Sequence, residues 1–177
     1  MSIDKRNIVK KLILLLAILL TGCVNAPKDI KPVENFDLKS YLGTWYEIAR
    51  LDHSFERGME QITATYSMRK DGGVMVINRG YKTDDAKWSQ AVGKAYFVKE
   101  PDIGFLKVSF FGPFYGSYII FDLDYDKYSL ISGPDHSYLW ILSRTPDLDQ
   151  KTKEKLIEKA QKAGFDTSKL IFVKQSE

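Results

Sequence analysis

The sequence predicts an all-β protein: an eight-stranded up-and-down antiparallel barrel with one C-terminal α-helix packed outside it. Three observations lead there. From Tyr41 onward, short runs rich in Val, Ile, Tyr, Phe and Trp recur between turn signals at spacings of roughly 8–15 residues. Within the runs, apolar and polar side chains alternate, which is the signature of a sheet with one dry face. One helix-like segment follows the eighth run. A sheet of this size closed on itself has no exposed edge, and its interior holds side chains or one small ligand.

The chain opens with Lys5, Arg6, Lys10 and Lys11, then an uncharged apolar run from Leu12 to Leu20. A basic head, a short apolar middle and a small-residue exit describe an export signal. The run is too short to span a bilayer as a helix. Leu20-Thr21-Gly22-Cys23 resembles a bacterial lipobox. That resemblance implies diacylation of Cys23, cleavage before it and a third acyl chain on the new amino group. The other reading is an ordinary signal with an incidental cysteine. Several acyl chains make a lasting anchor, where one holds only marginally. Val24 stands where an aspartate tends to mean inner-membrane retention, so the expected address is the outer membrane, with the barrel facing the periplasm. The expected organisation is a signal peptide over 1–22, a lipidated tether over 23–36 and the barrel domain over 37–177. Pro27 and Pro32 in a polar stretch suggest the tether.

The eight expected strands are Gly43–Leu51, Gln61–Met68, Val74–Tyr81, Trp88–Val98, Phe105–Phe111, Tyr115–Leu123, Tyr128–Ser132 and Tyr138–Arg144. Turn chemistry separates them, as at Asp71-Gly72-Gly73, Gly112-Pro113 and Gly133-Pro134-Asp135. Asp147 or Asp149 could cap the helix, Leu156, Ile157 and Ala160 give it an apolar stripe, and Gly164 stops it. Its lysine-covered face reads as a solvated surface, with a membrane surface as the alternative. Leu170–Val173 make a last short strand.

Composition narrows the function. The leader, with four Lys/Arg and Asp4, accounts for the whole formal charge of +3, so the remainder is neutral. Nothing there supports nucleic-acid binding. Cys23 is the sole cysteine, so disulfides within the chain are excluded. Ten Tyr, ten Phe and three Trp suit a β-rich protein or a large apolar binding surface.

Alternation then assigns the interior. Lysine prefers water, so Lys94 and Lys107 turn Ala91, Ala95, Leu106, Val108 and Phe110 inward. The same logic points Val74, Val76 and Asn78 inside. The second strand is ambiguous, and Ala64 and Tyr66 are chosen. Tyr118, Ile120, Tyr138 and Trp140 complete the expected lining. The small residues of the fourth strand leave volume for an elongated apolar ligand, unless bulky side chains from across the barrel fill it.

Three ordered motifs resemble the lipocalin family. Gly43-Thr44-Trp45 is similar to its G-x-W opening. Asp122-Leu123-Asp124-Tyr125 is similar to its T-D-Y turn, with Leu123 replacing threonine. Leu142-Ser143-Arg144 resembles its third, arginine-bearing motif. With the lipobox, the chain resembles the family's bacterial outer-membrane lipoproteins. The resemblance implies that Trp45 and Arg144 close the barrel base as structural residues. It also implies that the ligands are fatty acids or lysophospholipids.

Topology puts the loops Asp52–Glu60, Lys82–Lys87, Gly112–Tyr115 and Gly133–Ser137 at the opposite end, the mouth. His53 and His136 fall there and are expected to be solvent-exposed. A metal site would need more ligands, so none is assigned. Phe55, Phe114 and Tyr115 could guard access or form a homodimer contact. Glu47 could join Asn78, Tyr118 and Tyr138 in orienting a head group.

The leading expectation is therefore a carrier or scavenger of apolar molecules. A structural or interaction lipoprotein with a filled barrel is one alternative, and a lipid-modifying enzyme another. No nucleophile–base pair and no G-x-S-x-G element occur, so no catalytic residue and no cofactor are assigned.

Overall fold

Eight antiparallel strands wind up and down in sequence order, from β1 (Gly43–Arg50), β2 (Met59–Met68), β3 (Val74–Lys82) and β4 (Lys87–Phe97) to β5 (Phe105–Ser109), β6 (Gly116–Asp124), β7 (Tyr128–Ser132) and β8 (Leu139–Ser143). The computed structural model describes residues 24–175. The expected signal peptide and Cys23 lie outside the described residues.

The barrel closes because β1 pairs with β8 on one side and β2 on the other. The lower half of β1 pairs with β2, from Gly43 opposite Tyr66 to Tyr46 opposite Thr63. Higher up, a short C-terminal strand, β9 (Ile171–Phe172), takes the place of β2 beside Ala49 and Arg50. Gln175 ties the seam by donating its amide to the carbonyls of Glu47 (2.7 Å) and Ile62 (3.0 Å).

Helix α1 (Leu38–Tyr41) precedes β1 and escaped the sequence reading. It is one turn long, capped by the Asp37 carboxylate, which accepts from Lys39 N at 3.0 Å. Helix α2 (Gln150–Lys162) is capped by Asp149, which accepts from Thr152 N at 2.9 Å. It ends at Gly164, whose φ of +93° suits glycine. Leu156 and Ala160 are fully buried against the outside of the sheet, as the apolar stripe requires.

Two apolar clusters sandwich the barrel wall. The outer one lies beneath α2 and includes Ile119, Leu130, Leu139, Ile141 and Leu156. The inner one gathers Trp45, Tyr66, Val76, Leu106, Ile120 and Ile131. Alternation along β6 and β7 feeds both.

Residues 24–36 do not behave as the free tether expected of them. Val33 N donates to Ile120 O (2.8 Å), Gly104 N to Val33 O (2.9 Å) and Phe36 N to Asp102 O (2.8 Å). Ile30 and Phe36 are buried. Apolar residues spaced through a proline-bearing segment let it strap the outside of the barrel, satisfying backbone groups a free linker would leave to water. The expected fifth strand also stops early, at Ser109, so that Phe110 and Phe111 belong to the mouth loop.

Candidate functional site

A cavity of about 680 Å³ occupies the barrel interior and opens at the end opposite Trp45. Its size falls in the ~300–1,000 Å³ range of small-molecule sites. Ala64, Tyr66, Val76, Asn78, Ala91, Ala95, Val108, Phe110, Tyr118, Tyr138 and Trp140 all line it. Ile120 does not. It is completely buried in the inner cluster, where packing rather than open space surrounds it.

The fourth strand behaves unevenly. Ala91 and Ala95 border open volume, and Ala91 lies nearer the mouth and is exposed. Gly93 between them does not leave a void. A Cβ there would come within 2.8 Å of the Phe110 ring, so the missing side chain is what lets that ring lie across the strand.

Three tyrosines form the polar part of the floor. Tyr118 bridges the other two, its hydroxyl 2.6 Å from that of Tyr41 and 2.7 Å from that of Tyr66. Ser129 Oγ lies 3.1 Å from the Tyr41 hydroxyl. Burial pushes the Tyr41 phenol up to about 12, and it raises Tyr66 and Tyr118 well above the ordinary phenol value. The floor is therefore a neutral hydroxyl cluster at any physiological pH.

Beneath it the barrel is sealed. Trp45 is fully buried and donates its indole N–H to Tyr41 O at 2.9 Å. The Arg144 guanidinium carbon sits 3.7 Å from the centroid of the Trp45 ring. The same guanidinium donates to Ser40 O (2.7 Å), Tyr125 O (2.9 Å) and Leu42 O (3.1 Å), stitching α1 to the β6–β7 turn.

A sealed base, a lined cavity and one open end are what the three sequence motifs imply together. Residues 36–175 match the family described as the lipocalin-like domain. The chain belongs to the lipocalin family. It is 54% identical over 165 residues to the outer membrane lipoprotein Blc of Vibrio cholerae, covering 92% of this chain and 96% of that one. The Escherichia coli outer membrane lipoprotein Blc is 53% identical over 162 residues, covering 90% and 92%. These relatives are bacterial outer membrane lipoproteins. Among solved structures, insecticyanin from the tobacco hornworm Manduca sexta superposes with a TM-score of 0.69 at 26% identity, covering 86% of this chain and 88% of that one.

The upper wall of this lipocalin cavity holds charges that sequence reasoning largely missed. β1 carries one extra residue, Ile48, relative to β8, because Glu47 faces Leu142 while Ala49 already faces Ile141. This bulge brings Arg50 to the face of Glu47, and Arg50 Nη1 donates to Glu47 Oε1 at 2.9 Å. Its Nη2 donates to Glu56 O, also at 2.9 Å. Glu56 Oε2 accepts from the Trp140 indole (3.2 Å) and lies 2.9 Å from His53 Nε2. Burial first, then the neighbouring Glu56, raises the Glu47 carboxyl well above its ordinary range, against the opposing pull of Arg50. Glu47 and Glu56 both border the cavity.

His53 was expected to be exposed and is buried instead. Its ring stacks on Phe55 at 3.9 Å and packs near Trp140, so the loop folds back into the mouth. His136 is half-buried, with Nε2 2.9 Å from Ala163 O at the end of α2. Among the described residues, no group of three His, Cys, Asp or Glu could hold a metal ion. Tyr41 belongs to no strand, so alternation gave no hint of it. The Glu47 alternation did point inward, and it was the available signal for the charged wall.

Proposed function

We propose that this protein is a lipid-anchored envelope lipocalin that binds, stores or transports apolar ligands such as fatty acids and lysophospholipids in its barrel cavity. The observation that carries the reading is the open, mostly apolar cavity of about 680 Å³. An acyl chain of about sixteen carbons buried there gains on the order of 10 kcal/mol gross. Association and ordering costs remove much of that, leaving affinities of about micromolar. Asn78 Oδ1 and Ser109 Oγ are buried without a protein partner, and both residues border the cavity, so they suit a ligand's polar end.

The lipobox supports acylation of Cys23, and the names of the bacterial relatives support the outer membrane as its address. A filled structural barrel is disfavoured by the cavity itself. No nucleophile in the cavity is paired with a base, so the reading is one of binding rather than catalysis.

The test is calorimetric titration of a delipidated soluble form with palmitate and with palmitoyl-lysophosphatidylethanolamine. Saturable heat with one ligand per chain is expected. Absence of binding to both, with the protein folded by circular dichroism, overturns the reading.

A further inference from the structure

We infer that the mouth of the barrel faces, and its rim dips into, the membrane that carries the anchor. The strap over residues 24–36 sets the geometry. Its lower end, Phe36, binds Asp102 at the base, while its upper end, Asn25, accepts from Ser117 Oγ at 2.6 Å. Ser117 is the second residue of β6 and stands beside the mouth loop between β5 and β6. Val24 packs against the outer cluster. Cys23 is one peptide step, about 3.8 Å between Cα atoms, beyond Val24. An acyl group on Cys23 therefore enters the bilayer next to the rim and not below the base.

The β5–β6 side of the mouth differs from the base in the way this orientation requires. Phe55, Trp88, Phe111, Phe114 and Phe172 are the exposed aromatics among the described residues, and all lie in the mouth half. Phe111 is 80% exposed and Phe114 66%. They flank Gly112-Pro113 in a loop without a charge from Phe110 to Gly116. The base turns carry Lys70, Asp71, Lys99, Glu100, Asp126 and Lys127. The β1–β2 and β3–β4 loops of the mouth are charged as well, with Asp52 paired to Arg57 and Asp85 to Lys87, so the uncharged β5–β6 loop beside the strap is the part of the rim that dips in. Aromatic rings prefer the headgroup boundary and charged turns prefer water. The occupant of the rim is thus the lipid surface, and a ligand passes between bilayer and cavity without crossing open water.

This inference rests on the anchor of the proposed function and is independent of which ligand fills the cavity. The test uses the full lipidated chain in vesicles of phosphatidylethanolamine and phosphatidylglycerol. Phe111→Cys, Phe114→Cys and Lys70→Cys are made separately and labelled with an environment-sensitive fluorophore. With Cys23 acylated, the introduced thiol is the labelling site. Probes at 111 and 114 are expected to shift to the blue and to lose intensity when the vesicles contain shallow spin-labelled lipids. The probe at 70 is expected to do neither. Quenching at 70 equal to that at 111 and 114 overturns the orientation alone. So does a blue shift at the rim without quenching, which assigns the rim to a second copy of the chain. Failure of the protein to float with the vesicles overturns anchor and orientation together, while ligand titration of the soluble form still judges the binding reading by itself.

Discussion

Arg144 sits over Trp45, guanidinium carbon to ring centroid 3.7 Å, and reaches four separate backbone carbonyls from that position. The cation–π contact adds ~0.5–2 kcal/mol. The fixed fork of donors holds α1, the start of β1 and the β6–β7 turn in one arrangement, something a lysine's point charge cannot copy.

Replacing Arg144 with alanine should therefore destabilise the fold by about 2–4 kcal/mol. Arg144→Lys should recover less than half of the loss. Urea unfolding followed by tryptophan fluorescence measures both. Equal stability of the lysine variant and the parent would show that charge alone matters at the base.

Ala91 borders the cavity near its mouth and is not packed against the floor. Ala91→Trp should occupy the passage, lower affinity for palmitate at least about tenfold and leave stability within about 1 kcal/mol. Calorimetry and thermal unfolding on the same preparation separate the two effects. Unchanged affinity would place the ligand elsewhere.

Tyr41 keeps its proton up to about pH 12 when folded, against 10.0 for a free phenol. Its folded value is raised, so its contribution is whole below pH 10 and is lost as the pH climbs toward 12. Two units correspond to about 2–3 kcal/mol. Tyr66 and Tyr118 shift in the same direction. The melting temperature should fall steeply across that window. Phenolate absorbance should show a late-titrating class of tyrosines that disappears on unfolding. A barrel equally stable at pH 9.5 and 11.5 contradicts this.

Leu156 on α2 is fully buried in the outer cluster. Leu156→Ala should cost about 2–5 kcal/mol. Affinity for palmitate should stay within about twofold at temperatures where the variant remains folded. A large loss of affinity in folded protein would mean that helix and cavity are coupled.

The sequence made the regular part of this barrel legible through the positions of its lysines. Lys94 and Lys107 had to face water, and that alone turned Ala95, Val108 and Phe110 inward. The ordered motifs at Trp45, Asp124-Tyr125 and Arg144 marked the sealed end. Alternation failed where the chain leaves strict pairing. The bulge at Ile48 has no local signature, and it brings Arg50, which strict alternation would set opposite to Glu47, to the same face and to 2% exposure. His53 sits in a loop, which reads as solvent, yet Phe55 and Glu56 fold over it. Pro27 and Pro32 suggested a tether, but Ile30 packs into the outer cluster, while Val33 and Phe36 pack against the inner one. Gly93 suggested emptiness, and Phe110 took the space.

The cluster beneath α2 buttresses the sheet from its convex side, so the lumen need not be crammed with side chains to hold the wall upright. Mutational drift along Ala91, Ala95 and Val108 can then recut the shape of the hollow while the scaffold stands unchanged. One architecture can in this way be retuned from cargo to cargo.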